Sequence, residues 1–166
     1  MTWTPQGNYL LNQAIADRST TKKLDYGTIV QCKDETYGAG EFIYMKGVAS
    51  CALRNWVVLN TDDGTTTRLV ADLTGPVGVA MATLTASYYG WFQIGGYAYG
   101  KCLTLMASNT NVWITATGGS VDDTSVAGDF VVRARCEALA TVGGIYTKFS
   151  LNRPYVTDRT SSANGA

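Results

Sequence analysis

The sequence predicts an all-β domain, and three observations support that prediction. About nine short runs of β-forming residues alternate with turn signals along most of the chain. No segment keeps a clear helical period of apolar residues over four turns. Thr, Val, Tyr and Ile make up about a third of the 166 residues, and these residue types suit pleated sheets. Many short strands without a helical period are typical of a small β-barrel or β-sandwich.

Residues 1–25 differ from the rest and are interpreted as an extended N-terminal arm. The segment is mostly polar, and it has no β-type run bounded by turns. Leu11 and Ile15 lie four residues apart, which would place them on one face of a helix. We expect the arm either to pack along the domain or to reach a neighbouring subunit. A disordered terminus is the alternative interpretation.

Residues 26–156 form the predicted β domain, and one hairpin in it is clear. The run Asn55–Asn60 leads into the turn residues 61–64 and then into Thr65–Val70. Two β-type runs around an Asp-Gly pair predict a hairpin. Further predicted strands are Glu41–Lys46, Val77–Ala82, Tyr88–Gly100, Val112–Thr117, Phe130–Arg135 and Ile145–Leu151. Residues 157–166 are poor in apolar side chains, so we predict a flexible C-terminal tail.

The run Tyr88–Gly100 predicts a strand with large apolar side chains on both faces. Alternate residues of a strand point to opposite faces of the sheet. The two faces are Tyr89, Trp91, Tyr97 and Tyr99 on one side, and Phe92, Ile94 and Ala98 on the other. Gly95 and Gly96 lie midway, and they predict a bulge or the close approach of another backbone.

A strand of this kind needs cover on both faces. The domain core packs on one face, and the N-terminal arm, a second sheet or another subunit packs on the other. Aromatic residues are enriched at protein interfaces because they add rigid contact area at a small entropy cost, so we predict an interface. Two alternatives stay open: one molecule covers both faces itself, or the aromatic residues form a platform for sugars or bases. The predicted interface residues are Trp3, Tyr9, Leu10, Leu11, Tyr89, Trp91, Tyr97, Tyr99 and Trp113.

The sequence contains no histidine, which removes several kinds of catalytic site. Histidine is the usual proton carrier near neutral pH and a common metal ligand, so Ser-His-Asp triads, Cys-His nucleophiles and His-ligated zinc sites are excluded. The adjacent pairs Asp62-Asp63 and Asp122-Asp123 fall in predicted turns and point apart. No phosphate-binding loop, calcium loop or Gly-x-Ser-x-Gly motif is present. We therefore expect no enzymatic activity, no cofactor and no metal site.

The charge balance excludes two further classes of partner. The chain has 13 basic and 13 acidic residues, and without a basic stripe we expect no nucleic-acid binding. No apolar run approaches the roughly 20 residues that span a bilayer. The first residues lack the pattern of a secretory signal, so we expect synthesis in the cytoplasm.

A charged fraction of 16%, against a usual value of about 25%, is typical of a subunit covered by partners. A secreted or low-charge β domain is the alternative.

The four cysteines are widely spaced, at positions 32, 51, 102 and 136. No Cys-x-x-Cys pair occurs, which argues against a structural zinc site. We expect buried free thiols. Sequence alone does not choose among the three complete pairings that four cysteines allow.

Four short segments follow one another between residues 40 and 96, within a stretch that extends roughly to Ala134. They are Gly40–Gly47 (GEFIYMKG), Trp56-Val57-Val58, Gly75–Ala80 (GPVGVA) and Tyr89–Gly96 (YGWFQIGG). In this order they resemble tailed-phage capsid cement proteins, also called head-decoration proteins. The resemblance implies a small β-barrel, or β-tulip-like, domain that forms a homotrimer. It also implies a position at threefold or quasi-threefold points outside the capsid, with an N-terminal arm that contacts the shell.

The expected function follows from this resemblance. It implies a structural protein of a bacteriophage virion, made in the host cytoplasm, that binds the major capsid protein and stabilises the shell from outside. The first alternative is a β module that binds a carbohydrate or a receptor, with the aromatic residues as its platform. The second is another virion subunit, from the tail or baseplate.

Overall fold

The structure, a computed structural model, describes residues 2–6, 11–103, 105–126, 128–140 and 145–157. These ranges contain strands and no helix, which confirms the predicted all-β class. The strands form one antiparallel sheet that does not close on itself. They are β1 (Thr4–Pro5), β2 (Arg18–Ser19), β3 (Ile29–Asp34), β4 (Gly38–Lys46), β5 (Trp56–Asn60), β6 (Thr65–Arg68), β7 (Gly75–Ala80), β8 (Tyr89–Lys101), β9 (Asn111–Ile114), β10 (Val121–Asp122), β11 (Phe130–Cys136) and β12 (Tyr146–Thr157).

The long strand β8 connects most of the sheet. One of its edges pairs with β4 from residue 89 to residue 96. The other edge pairs in turn with β2 at residues 89–90, with β7 at residues 92–93 and with β12 at residues 95–101. Beyond Asn152, β12 leaves β8 and pairs with β7 at Tyr155 and Val156. The strands β7, β8 and β12 therefore meet at a three-way junction.

The predicted hairpin is confirmed as β5 and β6. Asn60 pairs with Thr65, and Gly64 in the turn has a φ of 74°. The carboxylate of Asp63 accepts hydrogen bonds from both the amide and the hydroxyl of Thr65, at 2.9 and 2.6 Å. This is the local side-chain bonding that makes Asp favourable in turns.

Some elements differ from the sequence predictions. Strand β3 was not predicted, because its sequence IVQCKD mixes apolar and charged residues, yet it pairs with β4 along its whole length. Strand β9 ends at Ile114, before the predicted limit. The predicted strand ended at Leu151, but β12 continues through Arg153 and Pro154 to Thr157. Thr157 is the first residue of the predicted tail. Residues 158–166 lie outside the described residues, so a flexible tail there stays a prediction.

The predicted bulge in β8 is confirmed. Glu41 pairs with Gly95 and Phe42 with Gln93, so β8 contains one extra residue at this point. Gly96 follows with a φ of 82°, and a Cβ at this position would overlap the carbonyl oxygen of Ala39 on β4. Only glycine adopts this backbone conformation without strain while the neighbouring strand lies so close.

The buried residues form three clusters. The first surrounds Trp56 and Phe149 between β5, β7, β9, β11 and β12, and the second contains Phe92 and Ile94. The third contains Trp91, Tyr44 and Phe42 together with residues of the N-terminal segment, which are Trp3 and Ile15 with Leu11 at the edge. Strand β8 thus contributes Phe92 and Ile94 to one side and Trp91 to the other, as its alternation predicted.

The described part of the N-terminal segment packs along the domain. Strand β1 pairs with β3, and β2 pairs with the start of β8. Residues 11–15 contain bends and turns, so the proposed helical face for Leu11 and Ile15 is wrong, although both side chains contact the third cluster. The described residues of the arm therefore pack on their own domain, which is the first of the two expectations for it.

Candidate interaction surface

The outer face of β8 and β12 carries tyrosines and cations side by side. We call this set the tyrosine–cation face, and it consists of Tyr37, Arg54, Tyr97, Tyr99, Tyr146 and Lys148. On the opposite face of the same strands, Ala98 and Phe149 are buried in the first cluster. Because neighbouring residues of a strand alternate, the tyrosines and Lys148 are turned outward. Tyr99 lies directly opposite Lys148 in the β8–β12 register.

The aromatic rings on this face hold the cations in place. The Lys148 ammonium nitrogen lies over the ring of Tyr97, 4.0 Å from its centroid. The Arg54 guanidinium lies over two rings, 5.0 Å from the centroid of Tyr146 and 5.6 Å from that of Tyr99. Each such contact contributes roughly 0.5–1 kcal/mol at an exposed site. These contacts favour the present arrangement of the face before any partner arrives.

Arg54 and Tyr37 reach the face from loops beside the sheet. Arg54 has a left-handed backbone, with a φ of 70°. Its amide donates to the carbonyl oxygen of Ala80 at 2.8 Å, and its own carbonyl oxygen accepts from the amide of Lys101 at 2.8 Å. Tyr37 lies edge-on to Tyr99, with the ring centroids 5.5 Å apart. These contacts fix two loop residues against the ends of β7 and β8.

The structure divides the predicted interface residues into two groups. Tyr97 and Tyr99 lie on the tyrosine–cation face, where Tyr97 is 43% exposed. Trp91 is fully buried, and its indole N–H donates to the carbonyl oxygen of Gln13 at 2.9 Å. Trp113 is also buried, with its ring 4.8 Å from that of Phe130. Trp91 and Trp113 therefore offer almost no side-chain surface to a partner.

The cover predicted for Trp91 comes from this chain itself. Trp3 is 9% exposed, and its ring lies edge-on to Phe42 at 4.7 Å in the third cluster. Leu11 and Tyr89 pack at the edge of the same cluster. The alternative of intramolecular cover therefore holds for the first half of β8. Tyr9 and Leu10, also predicted as interface residues, lie outside the described residues.

Several residues of the face were missed in the sequence analysis. Tyr146 and Lys148 alternate within a predicted strand, so their shared face was readable, although the register that places them beside Tyr97 and Tyr99 was not. Tyr37 and Arg54 come from loops, and no local pattern indicates that they belong to this surface.

The four cysteines are free and buried, as expected. Burial raises the pKa of the Cys32, Cys51 and Cys102 thiols to about 11. These thiols are therefore protonated at neutral pH, and a protonated thiol is a weak nucleophile. Within the described ranges no group of three or more Cys, Asp or Glu side chains is placed to hold a metal ion. The same ranges contain no helix long and apolar enough to cross a membrane.

A groove of about 450 Å³ lies beside the junction of β7, β8 and β12. Ile94 and Val77 form part of its apolar lining, and Arg153 lies at its edge. The Arg153 guanidinium donates two hydrogen bonds to the Glu41 carboxylate, at 2.7 and 2.9 Å. This pair joins β4 to the point where β12 leaves β8.

Substituting Glu41→Gln is expected to lower the free energy of unfolding at neutral pH by about 0.5–1 kcal/mol, since Arg153 is largely exposed and its pairing is screened by solvent. The hydrogen bonds from Arg153 lower the pKa of Glu41 below its ordinary value of 4.5. The stabilisation is therefore complete above that ordinary value and is lost as the pH falls through the lowered pKa of the folded state. Urea unfolding of both proteins between neutral and acid pH measures the difference. A difference that does not shrink with acidification contradicts this account.

Comparison of the chain with protein-family models, with curated proteins and with solved structures finds no match. The resemblance to head-decoration proteins therefore depends on the four quoted segments. In the structure these segments lie side by side, because β4 pairs with β8, β8 with β7, and β7 with β5. They form one continuous part of the sheet, next to the tyrosine–cation face.

Proposed function

We propose that this protein is a structural protein of a phage virion, which binds the outside of the capsid and stabilises the shell. The observation that carries the proposal is the tyrosine–cation face, a partly exposed surface on the sheet whose tyrosine rings and cations contact one another. The spatial continuity of the four segments that resemble head-decoration proteins supports the same proposal. The partners are then the major capsid protein and further copies of this chain, arranged as a homotrimer.

The composition of the face suits protein binding. Tyrosine and arginine are among the residues that most often dominate the energy of protein interfaces. A tyrosine ring adds contact area while fixing few torsions, and the rings of this face are already held by their cations. Less conformational entropy is therefore lost when a partner docks.

The proposed mechanism is the clamping of seams between capsid subunits. An expanded shell exposes such seams, and a trimer that spans one buries apolar area worth roughly 25 cal/mol per Å² before the costs of ordering are subtracted. Many copies act on one shell, and the sites of one trimer are linked. A modest affinity at each contact is therefore enough for tight overall binding.

The carbohydrate-binding alternative has less support from the geometry. Sugar platforms need open ring faces, and all four tryptophans are at most 9% exposed. Cations lie over the rings of Tyr97, Tyr99 and Tyr146. The tyrosines thus present their edges and hydroxyl groups, which suit a polar protein surface better than the flat face of a sugar ring.

Substituting Tyr97→Ala is expected to weaken binding to empty capsids by about tenfold or more, as for an interface hot spot. Co-sedimentation with empty capsids of the same phage measures the binding. Tyr155→Ala is the matched control, because Tyr155 is 42% exposed and lies outside the tyrosine–cation face. We expect it to bind as the unmodified protein does.

Two outcomes contradict the proposed function, and a third contradicts the proposed binding surface. Absence of co-sedimentation by the unmodified protein would exclude capsid binding. Specific signals on a glycan array that disappear in Tyr97→Ala would replace the proposal with the carbohydrate-binding alternative. A loss of capsid binding in Tyr155→Ala but not in Tyr97→Ala would move the binding surface away from the tyrosine–cation face.

A further inference from the structure

A small crevice opens in the tyrosine–cation face, between the N-terminal segment and the edge of β8. Its volume is about 10 Å³, roughly the space that one water-sized group needs. Its lining includes Trp3 from the N-terminal segment, Tyr37 and Arg54 from two separate loops, and Gln93, Tyr97 and Tyr99 from β8. Its size limits any occupant to the tip of a side chain or a single small molecule.

Two residues of the lining each carry a buried hydrogen-bond donor that has no acceptor among the described residues. The indole Nε1 of Trp3 and the guanidinium Nε of Arg54 are both buried and lack a hydrogen-bond partner among the described residues. Both groups only donate and never accept. Buried polar groups are nearly always satisfied in folded proteins, so two orphan donors on residues that line one crevice require an explanation.

The crevice supplies no acceptor of its own that meets them. No carboxylate of the described residues lines it. The Gln93 side chain in the lining uses its Nε2 to donate to the carbonyl oxygens of Gly95 and Tyr97, and neither orphan donor is bonded to its Oε1. The edges of aromatic rings carry partial positive charge, so the nearby tyrosine edges also favour an acceptor oxygen.

The charge of the face indicates which acceptor fits best. Within the described ranges the salt bridges are Lys22 with Asp25 and Arg153 with Glu41, and neither includes a residue of this face. Among the described residues, neither Arg54 nor Lys148 has a carboxylate within salt-bridge distance, and the nearby Lys101 faces the same side as Tyr146. A carboxylate would satisfy the donors and the charge together, whereas a water molecule would satisfy the donors alone.

We infer that this crevice is a recognition site for a carboxylate, supplied by an Asp or Glu side chain on the partner surface. One carboxylate oxygen enters and accepts from Trp3 Nε1 and Arg54 Nε. The rest of the acidic side chain lies among the tyrosines, near Lys148. The identity of the partner as the capsid protein rests on the proposed function, but the preference for a carboxylate does not.

Titration of the isotopically labelled protein with sodium acetate tests the site directly. We expect saturable shifts of the Trp3 indole N–H and Arg54 Nε–H signals in a nitrogen–proton correlation spectrum. Sodium chloride at equal ionic strength and acetamide, which lacks the charge, should shift them much less. The Trp91 indole N–H is the internal control, because it already donates to Gln13. If acetate shifts these signals no more than chloride does, the crevice holds only water and the inference is overturned.

Capsid binding by an Arg54→Gln variant tests the same site in its proposed setting. We expect about tenfold or greater weakening, the change typical of an interface hot spot. Arg133→Gln is the matched control, since Arg133 is an exposed arginine with a similar left-handed backbone, at a φ of 60°, and lies outside the crevice. It should bind as the unmodified protein does.

The two experiments separate the inference from the proposed function. If the unmodified protein fails to bind capsids but acetate shifts the two signals, the proposed function is wrong and the carboxylate site stands. If capsids bind equally well to the unmodified protein and to Arg54→Gln, and acetate has no effect, the site is wrong and the function stands. The acetate titration needs no variant, so it tests the carboxylate site even if Arg54→Gln does not fold.

Discussion

A Trp91→Ala variant is expected to lose about 3–5 kcal/mol of unfolding free energy, the usual cost of deleting a buried tryptophan side chain. Trp91 is fully buried, and its ring lies edge-on to Tyr44 with the centroids 5.1 Å apart. The substitution opens a cavity in the third cluster and removes the donor that satisfies the carbonyl oxygen of Gln13. Because domains have about 5–15 kcal/mol of stability in total, the variant should be barely folded.

Urea unfolding followed by circular dichroism measures this loss. The matched control is Tyr97→Ala, on the same strand and the same face but 43% exposed, for which we expect a loss below about 1 kcal/mol. Equal losses in the two variants would contradict the placement of Trp91 beneath the N-terminal segment.

A Gly96→Ala variant is the second large effect, with an expected loss of about 3 kcal/mol or more. Two costs add up at this position. Alanine at a φ of 82° is strained, and its Cβ would overlap the carbonyl oxygen of Ala39. The overlapping atom belongs to the backbone of β4, so relief requires that two paired strands move apart.

Gly38→Ala separates the two costs. Gly38 has a φ of 75°, but a Cβ there meets no atom within 4 Å. Only the conformational strain remains, so we expect a loss of about 1–2 kcal/mol. The same denaturation measurement serves for both variants, and a loss in Gly96→Ala no greater than in Gly38→Ala would show that β4 does not lie as close as described.

Features encoded by short-range patterns were predictable from the sequence. The β5–β6 hairpin followed from its Asp-Gly turn, and the bulge in β8 followed from Gly95 and Gly96. The two faces of β8 followed from the two-residue period of a strand. Each of these signals lies within a few residues of the feature that it specifies, and tertiary packing did not override it.

Features set by contacts distant in sequence were not predictable. The cover of Trp91 by residues near Trp3 and Ile15 joins parts of the chain more than 70 residues apart, and no local pattern encodes such a contact. The tyrosine–cation face was predicted in part, through Tyr97 and Tyr99. Its cations were missed because Arg54 lies in a loop and Lys148 joins the face only through the β8–β12 register.

The position of β12 has a consequence for biosynthesis. This strand bonds to β7, β8 and β11, yet it is the last strand in sequence among the described residues. A ribosome-bound chain lacks it until residues 146–157 have emerged, and until then Trp56 lacks its packing partner Phe149. Native structure around Trp56 therefore forms only after β12 has emerged, and chains truncated before β12 would expose apolar strand edges that pair readily with other chains.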